Sequence, residues 1–315
     1  MDIDLVCFYE DHEDQTYQNL KTVLIEKNMS DEQSFKNMHV FLNSDFLKYV
    51  LRSIEQHVKF VRNIYIITNS LLPKWLNYGY SKIHIISYKN IIPSNLLPTY
   101  NYSLVENHIV HIPDLSDNFI YIPENAFFVQ DVDESFFFDV NHHPYIRFKN
   151  VFSYDKKLKY DKYASIKNAI DICERYFDFR PRFFKHCNVE CYCRKDIVEC
   201  LDYISDEIYK MSTKFASKDD VSRYIWTYYS YFKKHSVLKY PNLYKSSNLT
   251  KIFANFILNL MKDTQEMDLS QSNYKLSKRT KMFSFNKDSK CTEKDEERAM
   301  AFLQTLYPNK AEFEF

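Results

Sequence analysis

Residues 46–68, FLKYVLRSIEQHVKFVRNIYIIT, decide the fold class. Phe46, Leu47, Val50, Leu51, Ile54 and Val58 recur at helical spacing and leave Lys48, Arg52 and Glu55 on the polar side, so the first half is an amphipathic helix with one face to bury. Asn63 to Thr68 follows at once as a short β-rich apolar run, which predicts a strand. Working outward, the same alternation returns in Ile3 to Tyr9, Lys82 to Ser87 and Asn118 to Ile122. Strands alternating with helices imply a parallel sheet with crossover helices, an α/β fold.

In open α/β sheets ligands bind beyond the carboxyl ends of the strands. Here those ends carry polar clusters: Glu10, Asp11 and Asp14 after the first strand, Thr68 and Asn69 after the second, Glu124 and Asn125 after the last. They are expected to share one crevice. The 315 residues contain a single glycine, Gly79, which excludes glycine-rich phosphate loops. The 42 basic and 42 acidic residues cancel, which argues against nucleic acid as a partner, because such binding requires an excess of cations against phosphate.

Met1 to Tyr9 holds two acids and no basic residue, unlike a secretory signal, and no uninterrupted apolar stretch approaches the ~20 residues of a transmembrane helix. Seven cysteines form an odd set that fits free thiols in a reducing compartment. The expected location is cytoplasmic. A Lys- and Tyr-rich stretch, Lys156 to Lys167, is taken as the boundary between an α/β core, residues 1–155, and a mainly helical part, residues 156–315. Helices are predicted over Ala164 to Tyr176, Lys195 to Met211, Asp219 to Phe232 and Glu296 to Leu306. Lys245 to Asp263 has apolar residues at helical spacing and reads as core. Asp263 to Lys294 is polar and lysine-rich and reads as a solvated loop or linker.

Four blocks carry a resemblance to a known family. Leu47 to Asn77 is similar in order and spacing to the central block of the Stealth family, and the match continues through Leu97-Pro98-Thr99-Tyr100-Asn101 and VENHIVHIPDLSDNFIYIPENAFF, residues 105–128. Ile3 to His12 resembles the family's first block, His186 to Leu201 the third, and Phe283 to Glu314, ending LYPNKAEFE, the fourth. The resemblance spans nearly the whole chain. It implies a Rossmann-like, GT-A-like nucleotide-sugar-binding core and transfer of a hexose-1-phosphate from a nucleotide diphosphate sugar donor to a glycan acceptor, as in capsule polymers.

Such phosphoryl transfer requires an in-line hydroxyl, a proton acceptor, and cations or donors on the phosphate oxygens. The resemblance carries the helix glutamate onto Glu106 and the third-block histidine onto His186, both proton acceptors. His108, Lys48 and Arg52 also keep their family identities and are assigned with Asp11, Asp14, Asn69 and Asn286 to substrate binding. The strand-end Glu124 and Asn125 complete the catalytic set, and magnesium is the implied cofactor, with Glu124, Asn286 and Asp288 near it. The resemblance further implies peripheral association with a polysaccharide assembly complex.

The departures are specific. The family's strand-end Asn-Asp-Asp reads Pro123-Glu124-Asn125, its central Arg-Asp reads Leu42-Asn43, the third-block Phe-Arg reads Phe215-Ala216, and the fourth-block Asn-Asp reads Asn286-Lys287. Losing a carboxylate at Asn125 predicts weaker magnesium binding, while Lys287 offers a replacement cation. Two further readings therefore stay open: a homologue that binds nucleotide sugar or glycan without catalysis, and a glycosyl transferase of related fold.

Other features have ordinary explanations. Cys187, Cys191, Cys193 and Cys200 lack the twice-paired spacing of a zinc site. Asp131-Val132-Asp133 matches an Asp-x-Asp metal motif but lies beyond the strand end, before Phe136-Phe137-Phe138, where an acid usually caps a turn. His142 and His143 read as a surface turn.

Overall fold

A computed structural model describes residues 1–11, 14, 19, 22, 45–148, 163–185, 188–210, 213–240, 257–259, 261–287 and 291–315. Residues 156–162 of the boundary stretch 156–167, and residues 245–256 and 260 of the apolar segment 245–263, lie outside the described residues.

The main sheet holds β1 (Ile3–Phe8), β2 (Ile64–Thr68), β3 (Ile83–Ser87), β4 (Asn118–Ile122) and β7 (Glu190–Cys193) in the order β3-β2-β1-β4-β7. The first four run parallel, with Leu5 opposite Ile64 and Ile120, and β7 closes the edge antiparallel. Every residue of β1 and β2 is buried, because a parallel sheet is covered on both faces. The period-two alternation sends Ile3, Leu5 and Cys7 to one core, with Ile120 and Ile122, and Val6 and Phe8 to the other, with Phe119 and Tyr121.

Helix α1 (Phe46–His57) covers the first face with the apolar residues its spacing marks: Phe46, Leu47, Val50, Leu51 and Ile54 are buried. The second face carries α2 (Tyr102–Asn107), α3 (Ala164–Phe177), α4 (Arg194–Tyr203) and α5 (Tyr224–Phe232). The predicted helix 195–211 is two pieces, α4 and a separate turn of helix at Ser205–Lys210. That predicted from Asp219 begins only at Tyr224, since the Asp220 carboxylate accepts from Ser217 N–H and the Asn101 amide and holds the preceding loop. Helix α6 (Glu293–Leu306) starts three residues earlier than its pattern suggests, at a capping box of Thr292 and Asp295. No helix among the described residues is long and apolar enough to cross a membrane.

The expected loop 263–294 is corrected: Thr264–Asp268 and Met282–Asn286 are strands of a second sheet. In it, β10 (Met282–Asn286) pairs antiparallel with β5 (Ala126–Phe128) and parallel with β9 (Thr264–Asp268). Met282, Phe283 and Phe285 are buried, and Phe285 packs edge-on against Phe46 of α1. The lysines that colour the composition, Lys275, Lys278 and Lys281, sit in the connection, so averaging across the window hides two short strands. A two-stranded ladder of β6 (Tyr145–Ile146) and β8 (Val237–Leu238) completes the described strands.

Candidate functional site

The carboxyl ends of β1, β2 and β4 converge as the alternation predicts. Glu10, buried just past β1, accepts the Asn69 N–H at 3.2 Å and the Ser70 hydroxyl at 2.5 Å from the end of β2. Burial raises its carboxyl above the ordinary value, against the pull of these donors and Tyr88. Glu124, past β4, is also buried, and burial followed by the field of Glu10 raises it well above the usual carboxylate range. Among the described residues its Oε1 has no hydrogen-bond partner. The buried Cys7 thiol at the end of β1 is pushed up by desolvation and then by Glu124. Two buried carboxylates in each other's field require a proton or a cation between them.

A second cluster lies on the β7 side of the same edge. Glu106 of α2 is paired with Arg223, whose Nε and Nη2 also grip Glu190 of β7 at 2.9 and 2.7 Å. Lys185 contacts Glu190 and the Tyr192 hydroxyl, and the Tyr121 hydroxyl of β4 donates to Glu106 at 3.3 Å. The four charges balance. Burial raises the Glu106 carboxyl, with Arg223 the main opposing influence, whereas Arg223 and Lys185 outweigh desolvation at Glu190 and hold it down to about 2. Glu106 is thus the carboxylate with the higher proton affinity, suited to accept a proton.

Arg223 and Glu190 are absent from the residues marked in sequence. Ala216 stands where the family pattern has arginine, and Arg223, seven positions on, supplies a guanidinium to Glu106. The usable signal for Glu190 is a lone acid in the apolar run Val189 to Cys193, which needs a buried partner.

The remaining predicted residues divide. Asp14 accepts the Leu71 N–H at 3.2 Å, and its own N–H donates to the Asp11 carbonyl at 3.2 Å, so Asp11, Asp14 and Asn69 stay with Glu10 and Glu124. Arg52 is held by a bidentate pair with Glu314, at 2.6 and 2.8 Å, and by the Tyr307 carbonyl, tying α1 to the C-terminal segment. Lys48 pairs with Asp45 at 3.3 Å and lies over the Trp75 ring. His108 is buried at the end of α2, with Nδ1 at 2.8 Å from the Leu104 carbonyl, and burial lowers its proton affinity.

Asn125 donates from Nδ2 to the Phe285 carbonyl at 2.6 Å and accepts the Phe285 N–H through its own backbone. Asn286 ends β10, exposed, 3.5 Å from Glu266. Lys287, offered as a replacement cation, is paired with Glu296 instead. His186 and Asp288 lie outside the described residues. Asp133 caps residues 134–136 by accepting from Ser135, which lowers its carboxyl, and Asp131 pairs with His57 at the surface.

The Asn125 geometry has a measurable consequence. Asn125→Asp is expected to destabilise the fold by about 1–3 kcal/mol, because a carboxylate would face the Phe285 carbonyl where a donor now stands. Urea unfolding measures this, and an unchanged midpoint would remove the amide from its clamping role.

A family model described as Stealth protein CR2, conserved region 2, matches residues 21–146. The capsular polysaccharide phosphotransferase CpsJ of Streptococcus thermophilus is 30% identical over 193 residues, 60% of this chain and 79% of that protein. The capsular polysaccharide phosphotransferase SacB of Neisseria meningitidis serogroup A is 27% identical over 325 residues, covering 99% of this chain and 57% of its own length. Among solved structures, the galactosyltransferase LgtC in complex with donor and acceptor sugar analogs aligns over 98% of both chains at 10% identity, with a TM-score of 0.45.

Proposed function

The chain belongs to the Stealth family, and from that premise we propose that it transfers a hexose-1-phosphate from a nucleotide diphosphate sugar to a glycan hydroxyl in capsule or surface polysaccharide synthesis. The observation that carries this reading is the Glu124 oxygen, without a hydrogen-bond partner among the described residues, beside Glu10 at the carboxyl edge of the parallel sheet, where α/β folds bind ligands.

The acceptor hydroxyl attacks the β-phosphorus, forming the new phosphodiester bond, and the bridging oxygen leaves with the mononucleotide. Glu106, raised by burial, or His186 takes the hydroxyl proton. Arg223 keeps Glu106 in place and limits its rise in proton affinity. Asp11, Asp14 and Asn69 line the donor side of the crevice, and Lys48 and His108 are the further residues proposed for substrate binding, whereas Arg52 is committed to Glu314. The Glu10 and Glu124 pair fits a magnesium ion, which binds proteins through one or two carboxylates and completes its shell with phosphates and water. Asn286 and Asp288 are the further residues proposed near it. When bound, the ion neutralises charge on the transferring phosphoryl group.

A second reading, a binder without catalysis, is favoured by the commitment of Asn125 to Phe285 and of Lys287 to Glu296. Product analysis with nucleotide sugars and an oligosaccharide acceptor separates the readings. Mononucleotide release is expected. Nucleotide diphosphate release would mark glycosyl transfer, and ligand-induced stabilisation with no release at all would mark the binder.

A further inference from the structure

Glu106 is carried on a helix that cannot hold its own place. Helix α2 has 6 residues, well under the ~12–15 that an isolated helix needs in water, so contacts at its two ends decide where the Glu106 carboxylate lies. At its start, the Asn101 side chain accepts the Leu104 N–H at 3.2 Å and donates from Nδ2 to the Asp220 carboxylate at 3.1 Å and the Phe215 carbonyl at 3.3 Å. At its end, Asn107, next to Glu106, accepts the Trp226 indole N–H at 3.2 Å through Oδ1 and donates from Nδ2 to the Ser103 carbonyl at 2.8 Å. An indole N–H only donates, which fixes the orientation of the amide.

Trp226 joins this end of α2 to the charged network twice more. Its backbone N–H donates to the Arg223 carbonyl at 3.2 Å, so the residue that anchors Asn107 stands one turn from the guanidinium that pairs with Glu106. Its ring meets Tyr192 edge-on, 5.2 Å between centroids and 80° between planes, and the Tyr192 hydroxyl donates to Glu190 and accepts from Lys185. Trp226 is 1% exposed and Asn107 3%, so bulk water is a poor substitute for either partner.

The charged and titratable groups facing Glu106 are Arg223, Glu190, Lys185 and the Tyr121 hydroxyl. Burial raises the Glu106 carboxyl, and Arg223 is the main influence opposing it. A small outward shift of the end of α2 would weaken that pull and raise the proton affinity further.

We propose that Trp226, acting through Asn107, is a positioning residue that sets how Glu106 meets Arg223. The proposal rests on the transfer reading, with Glu106 the group that takes the hydroxyl proton.

Two variants test it. Trp226→Phe keeps an aromatic ring and removes the indole N–H, leaving the Asn107 oxygen unpaired, whereas Trp226→Phe combined with Asn107→Leu removes both partners together. If the bond served stability alone, the double variant would recover turnover along with melting temperature. Expected instead is a melting temperature partly regained while kcat stays about tenfold or more below the parent, with KM nearly unchanged. The acid limb of the pH profile should move to higher pH, because a base of higher proton affinity is protonated sooner on acidification. NMR titration of the glutamate carboxyl carbons, with Glu106→Gln identifying the signal, reads the same shift without turnover. Parent-like titration of Glu106 in the double variant, or parent-like kcat, overturns the proposal. A parent that releases no mononucleotide sinks the transfer reading instead, and the titration alone then decides whether Trp226 places Glu106. Should the single variant fail to fold, the double variant carries the test.

Discussion

Replacing Arg223 with methionine is expected to lower stability by roughly 3–5 kcal/mol, the usual consequence of removing one partner from a buried ion pair. Glu190 is fully buried and receives two of its hydrogen bonds from this guanidinium, and Glu106 is paired with it as well. Methionine keeps most of the volume, so the loss comes from leaving two carboxylates under-compensated, with Lys185 and the neutral Tyr192 hydroxyl still on Glu190.

The pH dependence identifies the cause. Glu190 is held down to about 2 from an ordinary 4.5, so in the unmodified protein it contributes stability that is present above about 4.5 and lost as pH falls toward about 2. Without Arg223 its affinity for protons rises and that contribution shrinks. The gap between variant and parent should therefore be widest near neutral pH and should narrow on acidification. Glu106 acts with the opposite sign in the parent, since a raised carboxyl loses stability as pH rises. Urea unfolding at pH 7 and pH 4 measures both, and a variant as stable as the parent at pH 7 would remove the network from its supporting role.

The second large effect is expected at Glu124, where stability and activity should move in opposite directions. Glu124→Gln removes a buried carboxylate that has one oxygen without a partner among the described residues and a like charge, Glu10, nearby. Because the folded-state proton affinity is raised, the ionised form opposes folding above that raised value, and the variant should gain stability at alkaline pH with little change at low pH. Turnover of a nucleotide diphosphate sugar should fall about 10²–10³-fold, the scale for losing one electrostatic contact to a transition state. Magnesium should raise the melting temperature of the parent and not of the variant. A variant that is equally active and equally stabilised by magnesium would place the site elsewhere, and the catalytic reading would lose its principal residue.

The sequence by itself determined the architecture that positions this site. Helical spacing through Phe46 to Val58 followed by Asn63 to Thr68 is a local pattern, and burying such a helix against such strands leaves a parallel sheet as the solution. It also marked the strand-end acids Glu10, Asp11, Asp14 and Glu124, because polar residues directly after buried strands must emerge at one edge. The Asp-x-Asp at Asp131 was legible as a cap for the same local reason.

Tertiary structure alone decided which charges are committed. Arg52 looks available on the polar face of α1, yet Glu314, 262 residues away, occupies it. Lys287 is taken by Glu296 and Asn125 by Phe285. Arg223 and Glu190 meet Glu106 only because α5, β7 and α2 converge. The strands β9 and β10 were hidden because the pairing of β10 with β5 is non-local and their flanking lysines dominate the composition. Local periodicity encodes which face is buried. Desolvation and pairing depend on which distant residue arrives, and here that contact decides which carboxylates remain able to take a proton or a cation.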